Sequence, residues 1–194
     1  MIWMTSDFHF GHSRIVELAY RPFDDVDHMN ETLISNFNEA VRPDDHTFFL
    51  GDMVLGGYKQ NLPLVSELNG FKTLIVGNHD KPYDVKNTDR LSDVLEEYHQ
   101  HFDDVRFGPV MFDGLILSHF PYTEDYQGRS HPRPEDNGVP VIHGHTHDDE
   151  VITYSDSGTL QFHVGVDAWG YRPVPYPFIK RVIRDLDTAR RSMV

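Results

Sequence analysis

The chain has 194 residues, 39% of them hydrophobic, enough for one well-buried core and short for two, so a single domain over 1–194 is expected. Its 17 basic and 31 acidic residues leave a formal charge of −14, which disfavours a long nucleic-acid backbone or an anionic membrane surface as partner. Cysteine is absent, which excludes disulfides and thiolate metal sites and fits a reducing cytoplasm.

Short apolar runs alternate with helical patterns, as in an α/β layer of strands joined by crossover helices. Residues Ile2 to Ser6 read as the first strand. Met29, Leu33, Ile34, Phe37 and Val41 then recur on one helical face, with Asp27 the predicted N-cap. "HTFFLGD" (46–52) is the next strand, and a short helix carries Leu62, Val65 and Leu68, with Pro63 near its start and Gly70 past its end. "KTLIVGNHD" (72–80) is the third strand, Asp89 to Tyr98 reads as helix, and Val105 to Phe112 as extended. "GLILSHFP" (114–121), "VPVIHGHTH" (139–147) and Gly158 to Val166 complete the strands. Ile179, Val182, Ile183 and Leu186 fit a C-terminal helix. The N-terminal stretch lacks a basic segment followed by an apolar one, and no apolar run approaches membrane-spanning length, so an unexported protein with no membrane partner is expected.

The polar residues fall where strands end. Asp7 and His9 follow the first strand, Asp52 ends the second, Asn78 and His79 the third, His119 the next, and "HGHTH" (143–147) another. In open α/β sheets ligands bind at that carboxyl edge, so five separate stretches are expected to meet. An Asp-x-His or His-x-His on extended backbone puts both side chains on one face. Asp7, His9, Asp52, Asn78, His119, His145 and His147 offer imidazole, carboxylate and amide oxygen without sulfur, a donor set suited to manganese, iron or zinc. Seven ligands exceed the needs of one ion, whereas two ions roughly 3.5–4 Å apart would use them and clamp both oxygens of a phosphoryl transfer. Any one pair has an ordinary reading: Gly51-Asp52 and Gly77-Asn78 as turns, His119 as a hydrogen-bonded core histidine. Three imidazoles within five residues are costly to bury without a ligand.

The series Asp7-x-His9, Gly51-Asp52, Gly77-Asn78-His79-Asp80, His119 and Gly144-His145-x-His147 resembles the motifs of the calcineurin-like metallophosphoesterases, over about three-quarters of the chain. The whole chain is similar to the small stand-alone bacterial, archaeal and phage members. The resemblance implies an α/β four-layer sandwich, two packed mixed β-sheets flanked by helices. It also implies two divalent ions, manganese first and iron or zinc as alternatives. Asp7, His9 and His147 would hold one ion, Asn78, His119 and His145 the other, and Asp52 would bridge them. His79 would protonate the leaving oxygen or stabilise developing charge, and a hydroxide bridging the ions would attack phosphorus in line. The Ser/Thr phosphatases of this superfamily follow Gly-Asp with an Asp-Arg pair; Leu55 and Gly56 stand there instead, which argues against a protein phosphatase. His12 and His143 match no ligand position, and Asp80 either orients His79 or caps the following turn.

Residues 121–138 are too rich in Pro, Gly and polar side chains for a regular element. Tyr122, Tyr126, Arg129, His131 and Arg133 in this loop offer aromatic faces and planar cations suited to a nucleotide, with a solvated loop as the plain alternative. The expected activity is that of a phosphodiesterase on small phosphodiesters such as cyclic nucleotides, 2′,3′-cyclic before 3′,5′, inside a bacterial or phage-infected cell. A phosphomonoesterase, a nucleotide pyrophosphatase, a nuclease acting on short ends and a non-catalytic scaffold are the alternatives.

Overall fold

In a computed structural model that describes residues 1–123, 131 and 133–191, the chain begins with β1 (Ile2–Thr5) and the single-turn α1 (Ile15–Leu18). Helix α2 (Val26–Ala40) follows, with Met29, Leu33 and Phe37 on its buried stripe. Its cap is Asp25, whose carboxylate accepts the His28 N–H at 2.8 Å, and not Asp27, which lies in the first turn. After β2 (His46–Phe49) comes α3 (Tyr58–Asn61), and the segment read as a short helix with Pro63 near its start is a 3₁₀ stretch over Leu62–Glu67 that leaves Leu68 outside it. Strand β3 (Phe71–Ile75) leads to α4 (Thr88–Tyr98), capped by the Asn87 side chain on the Arg90 N–H.

The stretch read as extended from Val105 to Phe112 is two strands, β4 (Asp104–Arg106) and β5 (Val110–Phe112), that belong to different sheets. Gly108, at φ +67°, takes the chain from one to the other. Strands β6 (Leu115–Leu117), β7 (Val141–His143), β8 (Ile152–Tyr154), β9 (Leu160–His163) and β10 (Val174–Pro175) precede helix α5 (Tyr176–Arg191). Strands β8 and β10 and helix α1, each two to four residues long, carry too little periodicity to be read from sequence.

The first sheet has the order β10-β1-β2-β3-β4, with β1 to β4 parallel and β10 antiparallel. The second has the order β5-β6-β7-β9-β8, with β6, β7 and β9 parallel and both edges antiparallel. Alternation along the strands builds two cores. Phe49 and Leu74 face Met29, Leu33 and Phe37 of α2 and Val94 and Tyr98 of α4. Phe48 and Ile75, one residue along, face Leu115, Leu117, Ile142 and Phe162 of the second sheet. The architecture is therefore an α/β sandwich of two mixed sheets. Helix α5 packs against β1, β9 and β10 and adds Ile179 and Ile183 to the core the two sheets share. No helix among the described residues is long and apolar enough to cross a membrane.

Candidate metal centre

The carboxyl ends of β1, β2, β3, β6 and β7 converge as the alternation of strands and polar residues implies, but not through strand geometry. Each strand stops before its donor residues, and after β1, β2 and β7 the chain turns through left-handed backbone. Asp7, His9, Asp52, His145 and His147 have φ of +63°, +53°, +56°, +78° and +55°. Five of the seven presumed ligands thus fall among the eight non-glycine residues with positive φ in the described chain. Asp7 and His9 reach one donor group from left-handed backbone, while His145 and His147 enter different groups, which corrects the reading of an extended segment that sends both side chains to one face. Such backbone costs about 1–3 kcal/mol per residue and persists where surrounding contacts enforce it. Here the Asp7 and His9 N–H groups donate to the carbonyls of Gly51 and Asp52, both at 3.0 Å, and the Gly144 N–H to that of His119 at 3.1 Å. Gly51, at φ +89°, and Gly77 let the turns after β2 and β3 touch: a Cβ on Gly51 would lie 2.6 Å from the Gly77 Cα.

Two groups of donors result, Asp7 with His9 and His147, and Asp52 with His119 and His145. In the first, the Nε2 atoms of His9 and His147 are 3.1 Å apart, and Asp7 Oδ1 lies 3.8 Å from His147 Nε2. In the second, His119 Nε2 lies 3.3 Å from Asp52 Oδ2, 3.2 Å from His145 Nδ1 and 3.0 Å from the side-chain oxygen of Asn78. Asp52 Oδ2 also stands 3.6 Å from His9 Nε2, so a single oxygen faces both groups.

The protonation pattern tests whether cations fit. His119 Nδ1 is 2.7 Å from the Leu50 carbonyl and His147 Nδ1 is 2.9 Å from Asp167 Oδ2, so both Nδ1 atoms carry the proton and donate it. Both Nε2 atoms point inward, that of His119 onto Asp52 Oδ2 and the Asn78 oxygen and that of His147 onto His9 Nε2, where a proton or a metal cation between the partners is favourable. Asp7 Oδ1 is buried without a hydrogen-bond partner and belongs to the same set. The cluster's attraction for positive charge shows in its titration. Burial disfavours charge on His119, yet the Asp52 carboxylate overrides it and pushes the imidazole up to about 9. Burial likewise opposes ionisation of Asp52, but His119 and His9 hold it well below the usual carboxylate range. Divalent ions would replace the protons that these pairs share, so metal uptake should release protons.

Residues behind the ligands hold them in place. Arg21, 3% exposed, donates Nε and one terminal nitrogen to the two Asp167 oxygens, each at 2.8 Å, and also reaches the carbonyls of Asp7 at 2.7 Å and Phe8 at 3.1 Å. Asp167 in turn accepts from His147. This relay was not legible in the sequence, because Asp167 lies in a 3₁₀ turn (Val166–Trp169) remote from every motif. Asp80 neither orients His79 nor caps the following turn, Lys81–Asp84, with its side chain. Its buried carboxylate accepts the N–H groups of Asp52, Met53 and Gly77, each at 2.9 Å, locking the β2 and β3 turns together. Burial and the nearby Asp52 charge push it up to about 7.

His79 stands half-buried at the edge of the cluster, its ring 5.4 Å from that of His9 and its N–H on Asp52 Oδ1 at 2.8 Å. His12 Nδ1 lies 3.3 Å from His9 Nδ1, behind the first donor group. His143 is not with the ligands; it stacks on His163, ring centroids 5.3 Å apart. Of the loop residues, His131 stacks on Phe120 at 5.2 Å with its ring 6.0 Å from that of His145, and so adjoins the centre. Arg133 lies over Phe120 and donates to the carbonyls of Pro121 and Thr123. Tyr122 is turned toward the second sheet, its hydroxyl on the Val139 carbonyl at 2.6 Å and its N–H on Gln161 at 2.6 Å, where it anchors the loop. Tyr126 and Arg129 lie outside the described residues.

No model of a known protein family matches the chain. The Gene 66 protein of Mycobacterium phage D29 is 32% identical over 96% of this chain and 97% of its own length. The Gene 66 protein of Mycobacterium phage L5 is 35% identical over 87% of each. An uncharacterized protein of Methanocaldococcus jannaschii, MJ1445, is 31% identical over 94% of this chain and 90% of its own. Among solved structures, AQ665 from Aquifex aeolicus, described as a protein of unknown function, superimposes with a TM-score of 0.65 over 94% of this chain and 99% of its own at 22% identity, a likeness of fold. Identity at this level over nearly the full length places the chain in the family of the Gene 66 proteins of Mycobacterium phages D29 and L5.

Proposed function

We propose that the protein is a phosphohydrolase with two divalent metal ions, of the calcineurin-like metallophosphoesterase kind, and that it acts as a phosphodiesterase on small phosphodiesters, 2′,3′-cyclic nucleotides before others. One observation carries the reading: two groups of nitrogen and oxygen donors with Asp52 Oδ2 facing both. Divalent ions supply Lewis acidity toward phosphoryl oxygens and a nucleophile from water at neutral pH. They also reconcile a chain of charge −14 with an anionic substrate, because positive charge is confined to the site.

The chain's own residues divide the remaining work. Asp7, His9 and His147 form one cradle, Asn78, His119 and His145 the other, and Asp52 spans them. Left-handed backbone and the Asp80 clamp hold this set before substrate arrives, so little reorganisation is left for the reaction. His79 is tied by its N–H to Asp52 and leaves its imidazole at the edge of the cluster, where it can give a proton to the departing oxygen.

The test is turnover of a metal-stripped sample on bis-aryl and mono-aryl phosphates, with manganese titrated back, for the wild type, Asp52→Asn and His79→Ala. Diester hydrolysis that requires manganese, collapses in Asp52→Asn and falls about 10²–10⁴-fold in His79→Ala with metal retained supports the proposal. Monoester turnover alone makes the protein a phosphomonoesterase. Wild-type rates in both variants, or no turnover with any divalent ion, refute it.

A further inference from the structure

Beside the second donor group lies a cavity of about 180 Å³. Its walls include His119 and Phe120 after β6, Tyr83 from the turn after β3, Phe107 and Pro109 from the β4–β5 connection, and Arg133. The Val76 N–H donates to the Arg106 carbonyl at 2.9 Å, which brings the end of β4, and with it Phe107, alongside the end of β3 that carries Asn78 and His79. His119 belongs to both places, with Nε2 among the metal-type donors and its ring on the cavity wall.

The walls have the chemistry of a slot for a planar ring. Tyr83 and Phe120 are 6.2 Å apart, and His131 fixes both by stacking on Phe120 and meeting the Tyr83 hydroxyl at 3.2 Å. The Arg133 guanidinium carbon lies 5.7 Å from the Phe120 ring centroid, and one terminal nitrogen donates to two backbone carbonyls, which holds a cation of a kind that stacks on π-faces at the cavity wall. Phe107, 48% exposed, forms the rim; a single exposed aromatic is ordinary, but one at the mouth of an aromatic slot beside a metal-type cluster is not. A volume of about 180 Å³ is below the roughly 300–1,000 Å³ of pockets that enclose whole ligands, so it admits a ring and leaves sugar and phosphate outside, toward the donors.

We infer that this cavity is the subsite for the base of a nucleotide ester, with Phe107, Tyr83 and Arg133 setting the preference for base-bearing over base-free substrates. The inference rests on the phosphoesterase reading for its reaction, and its test has a second readout independent of turnover.

The first readout is the ratio of kcat/KM for adenosine 2′,3′-cyclic phosphate to that for 1-O-methylribose 2′,3′-cyclic phosphate, which lacks the base. Stacking on an aromatic supports an expected fall of about tenfold in that ratio for Phe107→Ala, carried by KM. Phe71→Ala, an equally exposed aromatic at the other end of β3, should leave the ratio as it is. The second readout is equilibrium dialysis of adenosine monophosphate against ribose 5-phosphate with manganese present. If neither cyclic ester turns over, the cyclic-nucleotide phosphodiesterase reading fails, and a selective loss of adenosine monophosphate binding in Phe107→Ala still upholds the subsite. An unchanged ratio together with unchanged dialysis, or equal losses for base-bearing and base-free ligands, overturns it.

Discussion

Replacing Asp167 by Asn separates two jobs that the structure gives one carboxylate. Asp167 neutralises Arg21, whose guanidinium is 3% exposed and paired at 2.8 Å on both oxygens, and it accepts the His147 Nδ1–H at 2.9 Å. Removing one member of a buried ion pair costs about 3–5 kcal/mol, because the other charge is left uncompensated. Asn keeps one acceptor, and the Asp7 and Phe8 carbonyls still hold Arg21, so the lower end of that range is expected. For a chain of this length, 3 kcal/mol lowers Tm by roughly 6–12 °C. Loss of the partner behind a metal-ligating imidazole separately weakens metal binding by about 10–100-fold, or about 1.4–2.7 kcal/mol. Urea unfolding of the metal-stripped protein reads the first quantity, and competition with a chelator on the folded variant reads the second. If stability falls while manganese affinity equals that of wild type, Asp167 serves Arg21 alone and the positioning role is refuted. If affinity falls with stability intact, the assignment of Arg21 as a costly buried charge is refuted.

Gly144→Ala should damage the site more than the fold, since its Cβ would stand 2.2 Å from Ser6 Oγ and 2.4 Å from Asp7 Oδ2, the oxygen that also accepts the His145 N–H at 3.0 Å. Overpacking costs about 1–3 kcal/mol, and a displaced Asp7 should reduce manganese affinity at least tenfold; calorimetric titration showing wild-type affinity would contradict this. His143 is buried, its Nε2 has no hydrogen-bond partner, and burial with His163 alongside pushes it down to about 3. Because this folded pKa is depressed, the neutral ring's stability is present above the unfolded value near 6.5 and is lost as pH falls toward 3. From pH 6.5 to 4.5 the loss is about 2.3 kcal/mol for this one ring. His119, raised to about 9, stays protonated in the folded state, and the unfolded ring completes its protonation as pH falls below 6.5, so it offsets the loss by only about 0.4 kcal/mol. Urea denaturation at several pH values should show His143→Phe gaining about 2.3 kcal/mol on wild type between pH 6.5 and 4.5, and parallel curves would count against the reasoning.

The donor residues that the fold brings together were readable from the chain. Asp7, His9, Asp52, Asn78, His119, His145 and His147 are of metal-binding type, and each closes an apolar run long enough to be a strand; parallel strands must then put them at one edge whatever the details. The α2 and α4 stripes were equally plain, because helical periodicity accumulates over three or four turns. Strand ends were not. Residues 46–52 and 139–147 look continuous by hydrophobicity, whereas left-handed residues break them at Asp52 and at His145 and His147, and φ is set by contacts from other segments. Val105 to Phe112 likewise reads as one run until Gly108 sends its halves to different sheets. Asp167, Arg21 and Phe107 carry no local signal at all: a counter-ion is defined by the charge buried against it, and a cavity wall by the chain packed opposite. Composition and spacing determined which donors this protein has, and the tertiary structure decided which atoms face one another, because only folding brings residues 7, 52, 119 and 167 within hydrogen-bond reach of the same few imidazoles.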